Sequence, residues 1–98
     1  MAAYVIANTH ITDPQAMAEY ARRAPATVQA HGGTYLVRRP APIALEGTWS
    51  PALSVIEFPT VAAARAWWDS PEYAAIRRDY FKGATRELII VDGVREPS

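Results

Sequence analysis

The pattern of apolar and turn residues predicts an α+β domain: a four-stranded antiparallel sheet with helices on one face, in the order β-α-β-β-α-β. Three observations carry this. Four short runs rich in β-branched and aromatic residues alternate with segments whose apolar residues recur at helical spacing. Helix starts are marked by Asp-Pro, Thr and Ser-Pro, and helix ends by glycine. The strand runs are apolar on both faces, whereas an antiparallel sheet with one wet face would alternate apolar and polar residues.

The first run, Tyr4 to Ile11, reads as a strand. A period of two puts Tyr4, Ile6, Asn8 and His10 on one face and Val5, Ala7, Thr9 and Ile11 on the other. Thr12, Asp13 and Pro14 then open a helix, with a side-chain oxygen for the cap and proline in the first turn. Met17, Tyr20, Ala21, Ala24 and Val28 form its apolar stripe, opposite Glu19, Arg22, Arg23 and Gln29. Pro25 lies within this run and removes a backbone donor, so a kink or break is expected there. His31 precedes Gly32 and Gly33 and is expected to cap the helix, where a positive charge suits the dipole's negative end.

Thr34 to Arg39 is the second strand. Pro40 to Pro51 is a loop with three of the eight prolines, together with Glu46, Gly47 and Trp49, long enough to act as a lid or to cross to a partner. Ala52 to Phe58 is the third strand, closed by Pro59. Thr60 caps a short alanine-rich helix through Trp67, Trp68 and Asp69; Ser70 and Pro71 restart a helix carrying Tyr73, Ile76, Arg77 and Tyr80. Gly83 ends it, Arg86 to Val94 is the last strand, and the Glu-Pro-Ser tail is expected to be loose. With right-handed crossovers this order is a split βαβ, or ferredoxin-like, arrangement. One domain is expected over residues 1–98, with an ordered core from about 3 to 94.

Composition sharpens the picture. Of 98 residues, half are apolar, but 19 of those are alanine, so the core is thin. A small chain with two-faced strands needs further cover. Nothing else here is long enough to supply it, so a homodimer packed sheet on sheet is expected. Ten basic residues balance ten acidic ones, which argues against a nucleic-acid binder. Zero cysteines exclude disulfides, thiolate zinc sites and a cysteine nucleophile. No apolar run is long enough to span a bilayer, and the start lacks a signal peptide's basic residues, so a cytoplasmic location with no membrane partner is the expectation. Two histidines a helix apart make no metal site, and the two adjacent glycines follow a helix rather than opening one, unlike a phosphate loop. Ser50 and Ser54 lack the setting of a nucleophile elbow.

Tyr4 to Asn8, then Thr12-Asp13-Pro14, His31-Gly32-Gly33, Ile56-Glu57-Phe58-Pro59 and Ser70-Pro71-Glu72-Tyr73 form an ordered set. From about Ala3 to Val94 the chain resembles the domain-of-unknown-function family 1330, within the dimeric α+β barrel superfamily. The resemblance implies two ferredoxin-like sheets facing each other in a dimer. It leaves the activity open, because superfamily relatives include cofactor-independent monooxygenases, haem-degrading enzymes, lactone isomerases and stress-response proteins. Trp67 and Tyr73 resemble the aromatic pair lining the monooxygenase pocket. Asn8 and Trp67 match two residues of the haem-degrading relatives, but Arg77 and Arg78 stand where the axial histidine would fall, and neither ligates iron. No cofactor is expected.

Asn8 and His10 share a face and are expected to look into a cavity between sheet and helices, Asn8 as an amide donor and His10 as a proton carrier. The alternative is structural: Asn8 tying down backbone and His10 at a wet strand end. Glu57 interrupts an apolar strand, where burial would raise its pKa toward that of a general base; Arg38, Arg77 or Arg78 is the expected partner, and an ion pair in the dimer interface is the alternative. Tyr35, Arg38, Trp67 and Tyr73 complete a mostly apolar small-molecule site. Trp67 and Trp68 point about 100° apart, so only one packs on the sheet. Two functional readings remain. One is a small-molecule binder, extending to a cofactor-independent enzyme of monooxygenase or isomerase type. The other is a non-catalytic dimeric module, structural or sensing stress or a ligand.

Overall fold

The computed structural model describes residues 2–38, 42–49 and 52–94. Arg39, Ser50, both ends of the Pro40–Pro51 segment and the Glu-Pro-Ser tail lie outside them. The elements are β1 (Ala3–Ile11), α1 (Pro14–Ala30), β2 (Thr34–Arg38), β3 (Ala52–Phe58), α2 (Val61–Asp69), α3 (Pro71–Tyr80) and β4 (Ala84–Asp92). One antiparallel sheet runs in the order β2-β3-β1-β4, the ferredoxin-like arrangement expected from the sequence. β4 is shifted two residues toward the N-terminus relative to expectation. It pairs with β1 from Ile11 and Ala84 to Ala3 and Asp92, so the length of β1 sets its limits.

Local chemistry explains the boundaries. The Asp13 side chain accepts from the Ala16 amide and caps α1. Thr60 accepts from Ala63 and caps α2. The Ser70 hydroxyl does two jobs: it donates to the Trp67 carbonyl at 2.8 Å, closing α2, and accepts from the Tyr73 amide at 3.2 Å, opening α3. His31 is the C-cap of α1, its Nδ1 2.9 Å from the Thr27 carbonyl.

Gly83 turns the chain from α3 into β4 at φ +75°. Its carbonyl accepts from the amides of Thr12 and Asp13 at 2.8 and 2.9 Å and from the Thr12 hydroxyl at 3.0 Å. A Cβ at this position would sit 2.7 Å from that of Asp13. Gly83→Ala is therefore expected to cost about 2–4 kcal/mol, the left-handed backbone adding to a close contact. Urea denaturation checks this, and a cost below about 0.5 kcal/mol would show that the turn relaxes freely.

The expected break at Pro25 does not occur: α1 is continuous from Pro14 to Ala30. Proline deprives the Ala21 carbonyl of its helical donor. The Arg38 guanidinium from β2 supplies a replacement, donating to that carbonyl at 2.8 Å. A side chain on the sheet thus repairs a defect in the helix.

Odd-numbered residues of β1 face the helices. Val5 and Val28 are fully buried with Phe58, Trp67 and Tyr73, whose rings pack in a row: Phe58 to Trp67 at 5.5 Å and Trp67 to Tyr73 at 4.2 Å between centroids. Each such aliphatic or aromatic side chain withdrawn from water contributes about 1.5–3 kcal/mol. Trp67 is the tryptophan that packs on the sheet, its indole N–H donating to the Thr27 hydroxyl at 3.0 Å. Trp68 lies half-buried beneath the Arg77 guanidinium, 3.9 Å from its ring centroid. The other sheet face carries Tyr4, Ile6, Val55, Ile89 and Val91, in register across the strands and uncovered by any helix.

Candidate functional site

Small side chains leave a gap between the helix and sheet layers at one place. Ala7, Thr9 and Ser54 on the sheet lie across from Ala21 and Ala24 on α1, around a cavity of about 50 Å³. Ala7 and Ser54 are direct partners in the β1–β3 ladder, so the thinning is a property of register. Val5, Met17, Ile56 and Leu88 make the walls apolar. The cavity is larger than one water needs, roughly 10–15 Å³, and far smaller than a drug-sized site.

The polar end is built around Arg86. Its guanidinium donates to the Tyr20 hydroxyl at 2.8 Å and to the Tyr73 hydroxyl at 2.6 Å. The two hydroxyls are themselves hydrogen-bonded to each other. Phe81 lies under the guanidinium at 4.3 Å. Burial pushes the Tyr73 phenol above the ordinary tyrosine range, with the Tyr20 oxygen adding to the effect and Arg86 opposing it. Tyr73 therefore keeps its proton at neutral pH. Among the described residues no carboxylate pairs with Arg86, and the cavity lining contains no acid or histidine.

At the mouth stand Tyr35 and Arg38. Residues three apart on a regular strand would face opposite ways. Here a shift of register between Tyr35 and Val37 adds one residue, so Tyr35 pairs with Ile56, Arg38 pairs with Ser54, and both side chains reach the same face. The guanidinium lies over the Tyr35 ring at 5.1 Å while bonded to Ala21.

The structure thus brings together Tyr35, Arg38 and Trp67 around the cavity, with the Tyr73 hydroxyl bound to its Arg86. Three other expected residues are elsewhere. Asn8 and His10 do not look into the space between sheet and helices; they project from the opposite face of β1, where Asn8 pairs with Leu53 and Glu87, and His10 with Thr85. Both faces of β1 are apolar, and the helices cover the one bearing Val5, Ala7 and Thr9. Glu57 is on that opposite face too. The arginine expected beside it is absent: Arg38 is bonded to Ala21, Arg77 to the Trp68 carbonyl and Arg78 to Asp79. Its contact is with the cross-strand Tyr4 hydroxyl at 3.5 Å.

Arg86, Tyr20 and Thr9 are site residues that the sequence reading passed over. Arg86 had a signal: it precedes Leu88 and Ile90 by steps of two, which puts a cation on the apolar, helix-facing side of β4.

The match of a family model to residues 2–94 decides the relationship. The chain belongs to the domain-of-unknown-function family DUF1330. No curated protein matches it. Solved structures resemble this DUF1330 protein in fold at low identity. A protein of unknown function from Rhodopseudomonas palustris aligns with TM-score 0.76 and 16% identity, covering 97% of this chain and 84% of that one. A structure described as a candidate antibiotic biosynthesis monooxygenase from Caulobacter crescentus gives 0.61 and 18%, covering 96% and 91%. One described in the same terms from Nitrosomonas europaea gives 0.56 and 16%, covering 97% and 100%. Among the described residues of the DUF1330 chain, no helix is long and apolar enough to cross a membrane, and no three metal-ligating side chains gather.

Proposed function

We propose that the protein binds a small organic oxyanion, a carboxylate, enolate or phenolate, in the cavity between sheet and helices. The observation that carries this is Arg86. A half-buried guanidinium costs solvation that only an anion restores in full, and two neutral phenols do so in part. An entering oxyanion would take charge-assisted hydrogen bonds from Arg86 and accept from the hydroxyl of Tyr20, the tyrosine of the pair that lines the cavity. At about 50 Å³ the cavity takes the charged end of such a ligand, a group the size of a carboxylate, and the remainder lies toward the mouth at Tyr35 and Arg38.

The chemistry such a site favours is stabilisation of negative charge on the ligand. With no histidine or carboxylate lining the cavity among the described residues, its side chains lower the ligand's own pKa rather than act as a strong base. An enolate or phenolate held this way is the starting point for isomerisation or for cofactor-independent oxygenation, and the fold shared with two structures described as candidate monooxygenases supports that direction. Asn8, His10 and Glu57 belong to a different role in this reading. They sit on the uncovered sheet face, where the side-chain oxygen of Asn8 is buried without a hydrogen-bond partner among the described residues. Ile89 and Val91 there are 53% and 37% exposed. A second copy packed on this face would cover the apolar side chains and offer Asn8 a donor.

Titration calorimetry with benzoate and its neutral isostere benzamide tests the site. Benzoate is expected to bind at least tenfold more tightly; equal affinities, or no binding of either, would overturn the reading. Light scattering tests the assembly, and a monomer at micromolar concentration would sink the sheet-to-sheet dimer.

A further inference from the structure

We propose that Pro25 and Arg38 form a latch that selects ligands carrying a carboxylate at the mouth of this cavity. The inference rests on the binding reading above and extends it to a second cationic contact. Four observations meet in it. Pro25, inside α1, has no N–H, so the carbonyl of Ala21 lacks its intrahelical donor. Arg38 donates to that carbonyl at 2.8 Å across the gap between β2 and α1. The register shift after Tyr35 is what turns Arg38 to this side of the sheet. Finally, Arg38 has no carboxylate partner among the described residues, although it and Ala21 both line the cavity.

An arginine on a strand end would ordinarily sample many rotamers in water, and ordering it on binding would weaken the ligand's hold. The bond to Ala21 removes that freedom in advance. It uses one of five N–H groups of a planar fork, leaving others to meet a carboxylate in a fixed direction. A ligand with its reacting oxygen at Arg86 would thus be read at its other end by Arg38. Neutral or singly polar ligands would gain nothing from the latch. The substrate class is therefore an organic carboxylate with a second oxygen function, small enough to span the two arginines. Pro25 touches no ligand and is a positioning residue.

Three variants test this: Pro25→Ala, which restores the helical N–H to the Ala21 carbonyl, Arg38→Gln, and the double variant. The probes are 4-hydroxybenzoate, which carries both groups, and 4-hydroxybenzamide. Arg38→Gln is expected to weaken 4-hydroxybenzoate about tenfold or more and leave the amide unchanged. Pro25→Ala, which keeps the arginine but frees it, is expected to weaken the acid several-fold and again spare the amide. Thermal unfolding of the four proteins gives a readout that needs no ligand. Arg38→Gln should lower the midpoint by about 4 °C when Pro25 is present and hardly at all in the Pro25→Ala background, a cycle in which alanine's higher helix propensity cancels. Wild-type binding of the acid with both single variants unchanged would overturn the latch and leave the cavity reading standing. Additive thermal shifts would overturn it as well. If the wild type binds neither probe, the carboxylate assignment falls with the cavity reading, and the thermal cycle alone decides whether Pro25 positions Arg38.

Discussion

Arg86→Gln is expected to lower affinity for benzoate about 10- to 100-fold, the range that follows from losing charge-assisted hydrogen bonds worth about 1.5–3 kcal/mol. The same change is expected to leave folding stability within about 1 kcal/mol of wild type, or to raise it. Glutamine still reaches toward the tyrosine hydroxyls, and it removes a half-buried cation that no carboxylate balances among the described residues. Calorimetric titration and urea denaturation of the same sample separate the two effects. A structural arginine would show the reverse, a large loss of stability and no selective loss of the anion. That outcome would remove the observation on which the binding reading depends.

The largest effect on folding is expected at Trp67. It is 1% exposed, packs between Phe58 and Tyr73 and gives its N–H to Thr27. Trp67→Ala should cost about 3–5 kcal/mol, the transfer loss and the hole adding together. Trp68→Ala, next in sequence, should cost less, about 1–2 kcal/mol, because that ring is half-exposed, meeting Trp67 and Tyr73 at 6.2 and 5.8 Å between centroids with the Arg77 guanidinium stacked on it. Chemical denaturation of the two variants decides this, and equal costs would mean that burial does not rank them. Because Trp67 also backs the cavity, its alanine variant should bind poorly, whereas Trp68→Ala should bind as wild type does.

The elements were legible because their signals are local. Asp13 with Pro14, Thr60, and Ser70 with Pro71 each place a hydrogen-bond acceptor where a helix's first amides need one. The turn at Gly83 follows from a residue that tolerates positive φ. What could not be read locally depends on the third dimension. A period of two groups Asn8 with His10 and Tyr4 with Ile6, but it does not say which face the helices cover when Val5 and Ile6 are both apolar. The expected site residues Asn8, His10 and Glu57 went to the other face for that reason. The extra residue in β2 is likewise invisible in the string Thr34 to Arg38, since it depends on what β3 offers opposite. Pro25 misled in an instructive way: its penalty is real, but Arg38, 13 positions later, meets the unsatisfied carbonyl. Arg86 was visible as a cation on an apolar face, and its meaning emerged only with Tyr20 and Tyr73 beside it.

The single hydroxyl of Ser70, which ends α2 and begins α3, has a consequence for how such a protein changes over generations. It fixes Trp67 and Tyr73 to each other within a span of seven residues, so the deep end of the cavity and the centre of the fold share one corner. Substitutions that alter the deep end must also pass the demand that the chain still folds. The mouth is held more lightly: Arg38 is exposed, Tyr35 is half-buried, neither belongs to that corner, and the demand of the fold on Arg38 is its single bond to the Ala21 carbonyl. New ligand preferences are most readily acquired from the rim inward, while the depth of the site stays as conservative as the core it is made from.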